Sequence, residues 1–141
     1  MAERVALAET AAGWIARSRQ EAADRGAVWV SDRYADCHLA VDAVSRTPDP
    51  ARLLQVLADL YLARPTVTVW LDLDPRIARE RILRRGHDEE SLEYLVSLRD
   101  AYLALDAATG YVHIPADRPL EEVHERVWSV FASVSASGPP A

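Results

Sequence analysis

"GAVWVSDRYADCHLA", residues 26–40, sets four apolar side chains in a row, Ala27 to Val30, and then breaks into Asp32-Arg33. A short continuous apolar run of this kind predicts a buried strand over Ala27–Ser31. An acid and a base at the carboxyl end of such a strand lie where open α/β sheets bind ligands, in the crevice beyond the strand ends. The competing explanation is that Asp32 caps the following helix and Arg33 is a solvated surface charge. This stretch alone leaves both open.

The pattern on either side supplies the fold class. Residues 2–25 are rich in Ala, Glu and Arg, and Val5, Leu7, Ala8, Ala11, Ala12 and Ile15 recur at helical spacing before a stop at Gly26. A short helix is expected from Asp36 to Val44, then the proline-rich loop "SRTPDP", then a leucine-rich helix over residues 50–63 that opens on Pro50. "RPTVTVWLDLDP" carries a β-branched strand over Thr66–Leu71 that ends in Asp72, Asp74 and Pro75. Pro75 opens a helix closed by Gly86, "HDEES" is a polar connector, and Leu92, Leu95, Val96, Leu98, Tyr102 and Leu105 mark the apolar stripe of the next helix. "YVHIP" is a third strand. The last helix bears Val123, Val127, Val130 and Phe131 on one side, and "SASGPPA" is an expected disordered tail. Strands alternating with helices predict an α/β protein with a parallel sheet covered on both faces. No repeat and no change of composition suggests a domain boundary, so residues 1–134 are expected as one domain and 135–141 as the tail.

Composition limits the function classes. A net charge of −6 argues against a general nucleic-acid binder, although a local arginine cluster can still hold a small anion. The lone Cys37 permits no internal disulfide and fits a reducing compartment. No run is long enough to span a membrane and no signal-peptide layout opens the chain, which points to a cytoplasmic protein.

Charge collects at strand ends: Asp32-Arg33 after one strand, Asp72 and Asp74 after the next. Acids there can hold magnesium or accept a substrate hydrogen bond, and an arginine can clamp a phosphate with two prongs. Asp74, directly before Pro75, is better explained as a helix cap. In "RERILRRGHDEES", Arg81 and Arg85 stack on one helical face beside Arg84. The helix dipole accounts for one basic residue in a last turn but poorly for three. With Gly86 and an acidic loop following, the segment reads as a mobile flap whose arginines reach an anion. His38, His87, His113 and His124 show no zinc-ligand spacing, His113 reads as structural, and Cys37 as a small core residue.

Together, "AERVALAE", "AVWVSDRYADCHLAV", "VTVWLDLDPRIARERILRRG" and "LEYLVSLRDAYLAL" resemble the thymidylate kinases and their relatives the deoxynucleoside kinases, nearly end to end. The resemblance implies a three-layer parallel sheet of the P-loop kinase type and phosphoryl transfer from ATP, with Mg2+, to a deoxynucleoside monophosphate or deoxynucleoside. By that likeness Arg33 holds the substrate phosphate, Tyr34 belongs to the same substrate site, and Asp32 sits near the metal and phosphoryl path. Arg81 and Arg85 are lid arginines, and Arg4 addresses the pyrimidine base. Enzymes of this kind begin with a strand and a G-x-x-x-x-G-K-[ST] loop. None of the five glycines here is followed by lysine. The chain is therefore expected to start after the first two strands, one of which is central in the family's sheet. Two readings follow. Either the kinase chemistry belongs to a full-length or complemented form, the isolated chain being inactive, or this is a non-catalytic kinase-like domain used in binding or assembly. A missing central strand would leave the chain marginally stable, or pairing with itself or a complementing chain.

Overall fold

The computed structural model describes residues 2–45 and 65–137. The chain divides into two compact units, one of Met1–Pro65 with Ser135–Ala141 and one of Thr66–Val134, although no shift in composition marks the junction.

In the first unit, α1 runs over Ala2–Asp24 and α2 over Ala35–Val44. Helix α1 stops where the sequence places its glycine. Gly26 adopts φ 61°, its N–H donates to the Ala23 carbonyl, and the Ala27 N–H reaches the Ala22 carbonyl at 2.8 Å. This pair of bonds satisfies carbonyls that the helix end leaves orphaned. Ala35 and Ala40 are the buried side chains of α2. The leucine-rich helix expected over residues 50–63 lies outside the described residues.

The strand expected over Ala27–Ser31 is not formed. Among the described residues its backbone enters no ladder, and Val30 is 73% exposed. A strand exists only through a neighbour that takes up its N–H and C=O groups, and apolar composition does not supply one. The side chain of Trp29 instead packs edge-on against Tyr34, ring centroids 6.1 Å apart.

The second unit is built in the order β1 (Val69–Asp72), α3 (Pro75–Arg85), α4 (Leu92–Thr109), β2 (Val112–Pro115), with α5 beginning at Leu120 and running to Ser137. It is the α/β pattern expected, with two parallel strands rather than three among the described residues. Val69 stands opposite Val112, Trp70 opposite His113, Leu71 opposite Ile114 and Asp72 opposite Pro115. Because side chains alternate across a strand, Trp70, Asp72 and His113 share one face. Helix α4 lies on that face: Trp70 stacks on Tyr102 at 5.8 Å, and Trp70 also meets Tyr111 and His113 edge-on. The opposite face carries Ile114, 3% exposed, and Leu71, 49% exposed.

Helix boundaries follow local chemistry. Asp74 Oδ1 accepts from the Arg76 N–H at 2.8 Å with Pro75 in the first turn, as its position predicts. Gly86 closes α3 at φ 74°, and Ser91 Oγ caps α4 by accepting from Tyr94 N–H. The stripe expected on α4 holds at Leu95, Leu98, Tyr102 and Leu105, whereas Leu92 and Val96 are exposed. On α5 the four predicted residues Val123, Val127, Val130 and Phe131 are all partly buried. That helix reaches three residues into the stretch expected as a tail, of which residues 138–141 lie outside the described ones. Among the described residues no helix is long and apolar enough to cross a membrane.

Candidate functional site

Asp32, Arg33 and Tyr34 form one tight bend between residues 27–31 and α2. Arg33 adopts φ 68°, in the left-handed region, the one described non-glycine residue to do so. An L side chain there crowds its own backbone, so the conformation persists only where neighbours impose it. One contact bears on residue 33 itself and two hold the flanks of its turn. Ser31 Oγ donates to the Arg33 carbonyl at 2.8 Å, the Trp29 and Tyr34 rings meet across the turn, and the buried Ala35 anchors the next residue but one. The capping explanation for Asp32 fails: Tyr34 occupies the N-cap position of α2 in extended backbone, with no side-chain cap bond. Asp32 and Arg33 are both exposed, and no ion pair among the described residues engages either. An exposed guanidinium beside an exposed carboxylate can clamp one anion with two prongs and accept a proton or hydrogen bond next to it.

Asp72, which does end a strand, has a different environment. Both oxygens of Asp72 are taken by Arg99 of α4, Nε and Nη2 each at 2.8 Å. That fork lowers the Asp72 pKa against the opposing effect of burial, and the same bond raises that of Arg99. Each oxygen of Asp72 thus spends one acceptor site on a partner inside its own unit. Beside the pair, β1, α3 and α4 enclose an open depression of about 130 Å³ lined by Trp70, Pro75, Ala78, Leu95, Leu98 and Tyr102.

Arg81 and Arg85 share α3 at the expected spacing and are exposed, as is Arg84. Arg85 pairs with Asp88 of the following loop at 3.0 Å, both side chains well over half exposed, an interaction worth little in water. Gly86 is a helix stop with a hydrogen bond from its own N–H to the Ile82 carbonyl. Arg4 falls within α1, and its side chain lies outside the described residues. The structure thus brings Asp32, Arg33 and Tyr34 into one turn of the first unit and Arg81 and Arg85 onto one helix of the second.

Arg99 and Asp106 are absent from the sequence expectations. The spacing 92-95-99-102-106 puts both on the inner side of α4, where a charge needs a partner. Asp106 finds two: it accepts from the Tyr111 N–H and from His113 Nε2, and those bonds, the first foremost, hold its pKa below the ordinary value. His113, on the strand, thus spends its Nε2 on Asp106 within the same unit. A charged residue in register with an apolar stripe was the legible signal.

ATP and Mg2+ can be tested against these residues. No group of three His, Cys, Asp or Glu side chains among the described residues could hold a metal ion. Asp72 is engaged and Asp74 caps a helix. All 16 Lys-or-Arg positions of the sequence are arginine, so the chain holds no lysine to place on a nucleotide phosphate. The described residues do not fit a magnesium or triphosphate cradle, and no step through either is drawn from them.

A model of the thymidylate kinase family matches residues 2–127. The chain is similar to a probable thymidylate kinase of Archaeoglobus fulgidus, 37% identical over 106 residues that cover 74% of this chain and 53% of the relative. It is similar to a probable thymidylate kinase of Methanosarcina mazei at 35% over 105 residues, 70% of this chain and 51% of the relative. With the thymidylate kinase of Deinococcus radiodurans it shares 32% over 124 residues, 83% of this chain and 59% of the relative. The chain spans about half the length of the curated relatives it matches.

Proposed function

The chain belongs to the thymidylate kinase family, and from that membership we propose that its residues form the acceptor side of an ATP-dependent kinase acting on thymidine monophosphate. The observation that carries this reading is the turn at Asp32-Arg33, which holds an arginine in a strained backbone, exposed and without an ion-pair partner among the described residues. Arg33 grips the acceptor phosphate with its guanidinium fork, and Tyr34 walls the same site. Asp32, beside the phosphate, accepts a hydrogen bond along the phosphoryl path. Arg4 addresses the base, while Arg81 and Arg85 stand on a lid that brings positive charge to the transferring group and excludes water. ATP and Mg2+ are the donor and its metal. Residues beyond those described supply their cradle, from a longer form of this protein or from a complementing chain, within a three-layer sheet of the P-loop kinase type.

The same reading accounts for segment 27–31, which enters no ladder among the described residues, and for the exposed Leu71. Each is a place where an added strand would pair or pack, and a sheet edge left open recruits another chain.

A coupled kinase assay with thymidine monophosphate and Mg2+-ATP tests the proposal. The 141-residue chain alone should show negligible turnover, and fusion behind a strand and G-x-x-x-x-G-K-[ST] loop should restore it. Turnover by the isolated chain at the usual kinase rates, on the order of 1–100 s⁻¹, would remove the need for a complementing segment. A folded fusion that neither turns over nor binds thymidine monophosphate would favour a non-catalytic role in assembly.

A further inference from the structure

The geometry points to Ser31 as a positioning residue: its hydroxyl holds Arg33 in the left-handed backbone that presents the guanidinium to an anion. This rests on the proposed role of Arg33 as the phosphate clamp. The Ser31 Oγ–Arg33 carbonyl bond spans two residues and measures 2.8 Å, and Arg33 sits at φ 68°. A carbonyl turned outward in a tight exposed bend has water as its alternative partner, and water imposes no direction. A hydroxyl fixed two residues upstream does impose one. It favours the bend in which the chain doubles back before Tyr34 resumes an extended backbone at φ −150° and ψ −163°.

The remaining anchors of the turn act on its flanks and not on residue 33 itself. Trp29 and Tyr34 meet edge-on at 6.1 Å, and the Cys37 N–H returns to the Tyr34 carbonyl at 3.0 Å. These contacts fix where the turn begins and ends. With the ends fixed, residue 33 still has right-handed and left-handed options, and Arg prefers the former. The Ser31 bond is the one hydrogen bond among the described residues to the Arg33 carbonyl, and the ring it closes spans both backbone torsions of residue 33. Removing it leaves the guanidinium, its charge and its exposure untouched while releasing its direction. Pre-organisation of a charged clamp is thereby separable from the clamp itself.

The experiment compares the wild-type chain with Ser31→Ala, Ser31→Thr and Arg33→Ala. Backbone chemical shifts report whether residue 33 stays left-handed, and calorimetry gives affinity for thymidine monophosphate. Ser31→Ala should lose the left-handed signature and weaken binding about fivefold, as loss of one hydrogen bond does. Ser31→Thr, which keeps the hydroxyl, should restore both. If residue 33 remains left-handed in Ser31→Ala, or affinity is unchanged when the signature is lost, the positioning role is wrong. Failure of the phosphate reading shows separately, as an Arg33→Ala chain that binds like wild type; the backbone signature then still decides whether Ser31 sets the turn.

Discussion

Two arginines stand with aspartates in this molecule, one on a turn and one beside a strand end, and they differ in backbone, burial and pairing. Arg99 is met by Asp72 through a two-pronged fork at 2.8 Å, partly buried between α4 and β1, on a regular helix. Arg33 lies directly after Asp32 on an exposed turn, in strained backbone, and no ion pair among the described residues takes it up. A charge that the fold has answered is a structural element, since its hydrogen-bonding capacity is spent within the protein. A charge held in place against its own backbone preference, with its capacity unspent, is what a ligand site requires. The residue types are the same in the two places; spacing and environment tell them apart.

The comparison breaks most visibly in stability. Asp72→Ala should destabilise the chain by about 2 kcal/mol, a charge-assisted fork being worth more than a neutral bond but discounted here for partial exposure. Urea unfolding should give this shift, with Arg33→Ala within about 0.5 kcal/mol of wild type. Equal losses at the two sites would mean that Arg33 is structural too.

Acid sharpens it further. The Asp72 carboxyl is held below its ordinary value of 3.8, chiefly by Arg99, so the unfolded chain binds its proton first as pH falls. Stability from this group is complete above that ordinary value and is lost as pH drops through the lower, folded one. Asp106 behaves in the same sense, through the Tyr111 N–H and then His113. Asp72→Asn should therefore flatten part of the acid limb of the stability profile below about pH 4. Arg33→Ala should leave that limb unchanged.

The smallest expected effect has the opposite sign. Arg33→Gly relieves the left-handed strain, about 1–2 kcal/mol, against the greater chain entropy of glycine, about 0.5–1 kcal/mol. A net gain of about 0.5 kcal/mol over Arg33→Ala is expected in the same unfolding measurement. A glycine variant less stable than the alanine one would show that residue 33 is not held against its preference.

The helices were legible because their signals are local. Gly26 and Gly86 stop α1 and α3, Asp74-Pro75 starts α3, and the α5 stripe at Val123, Val127, Val130 and Phe131 is partly buried as its spacing predicts. The strands were legible only where a partner exists. "VTVWLD" and "YVHIP" pair with each other, while "AVWVS", no less apolar, finds no ladder among the described residues. Pairing is a non-local property, and a run of apolar residues contains no information about its neighbour. The site divides in the same way. The DRY turn and the arginines of α3 could be found from charge at element ends. The fork between Asp72 and Arg99 joins residues 27 apart in sequence, and the left-handed backbone of Arg33 depends on contacts with Ser31, Trp29 and Tyr34 rather than on its own identity.

The measurement closest to the central claim is a double dissociation between the two arginines. Arg33→Ala and Arg99→Ala are each melted, and each is titrated with thymidine monophosphate at a temperature where both remain folded. Arg33→Ala should melt like wild type and bind about tenfold or more weakly, the loss expected of a charge-assisted contact worth about 1.5 kcal/mol. Arg99→Ala should melt earlier and bind like wild type. Binding lost with Arg99 and kept without Arg33 would contradict the account.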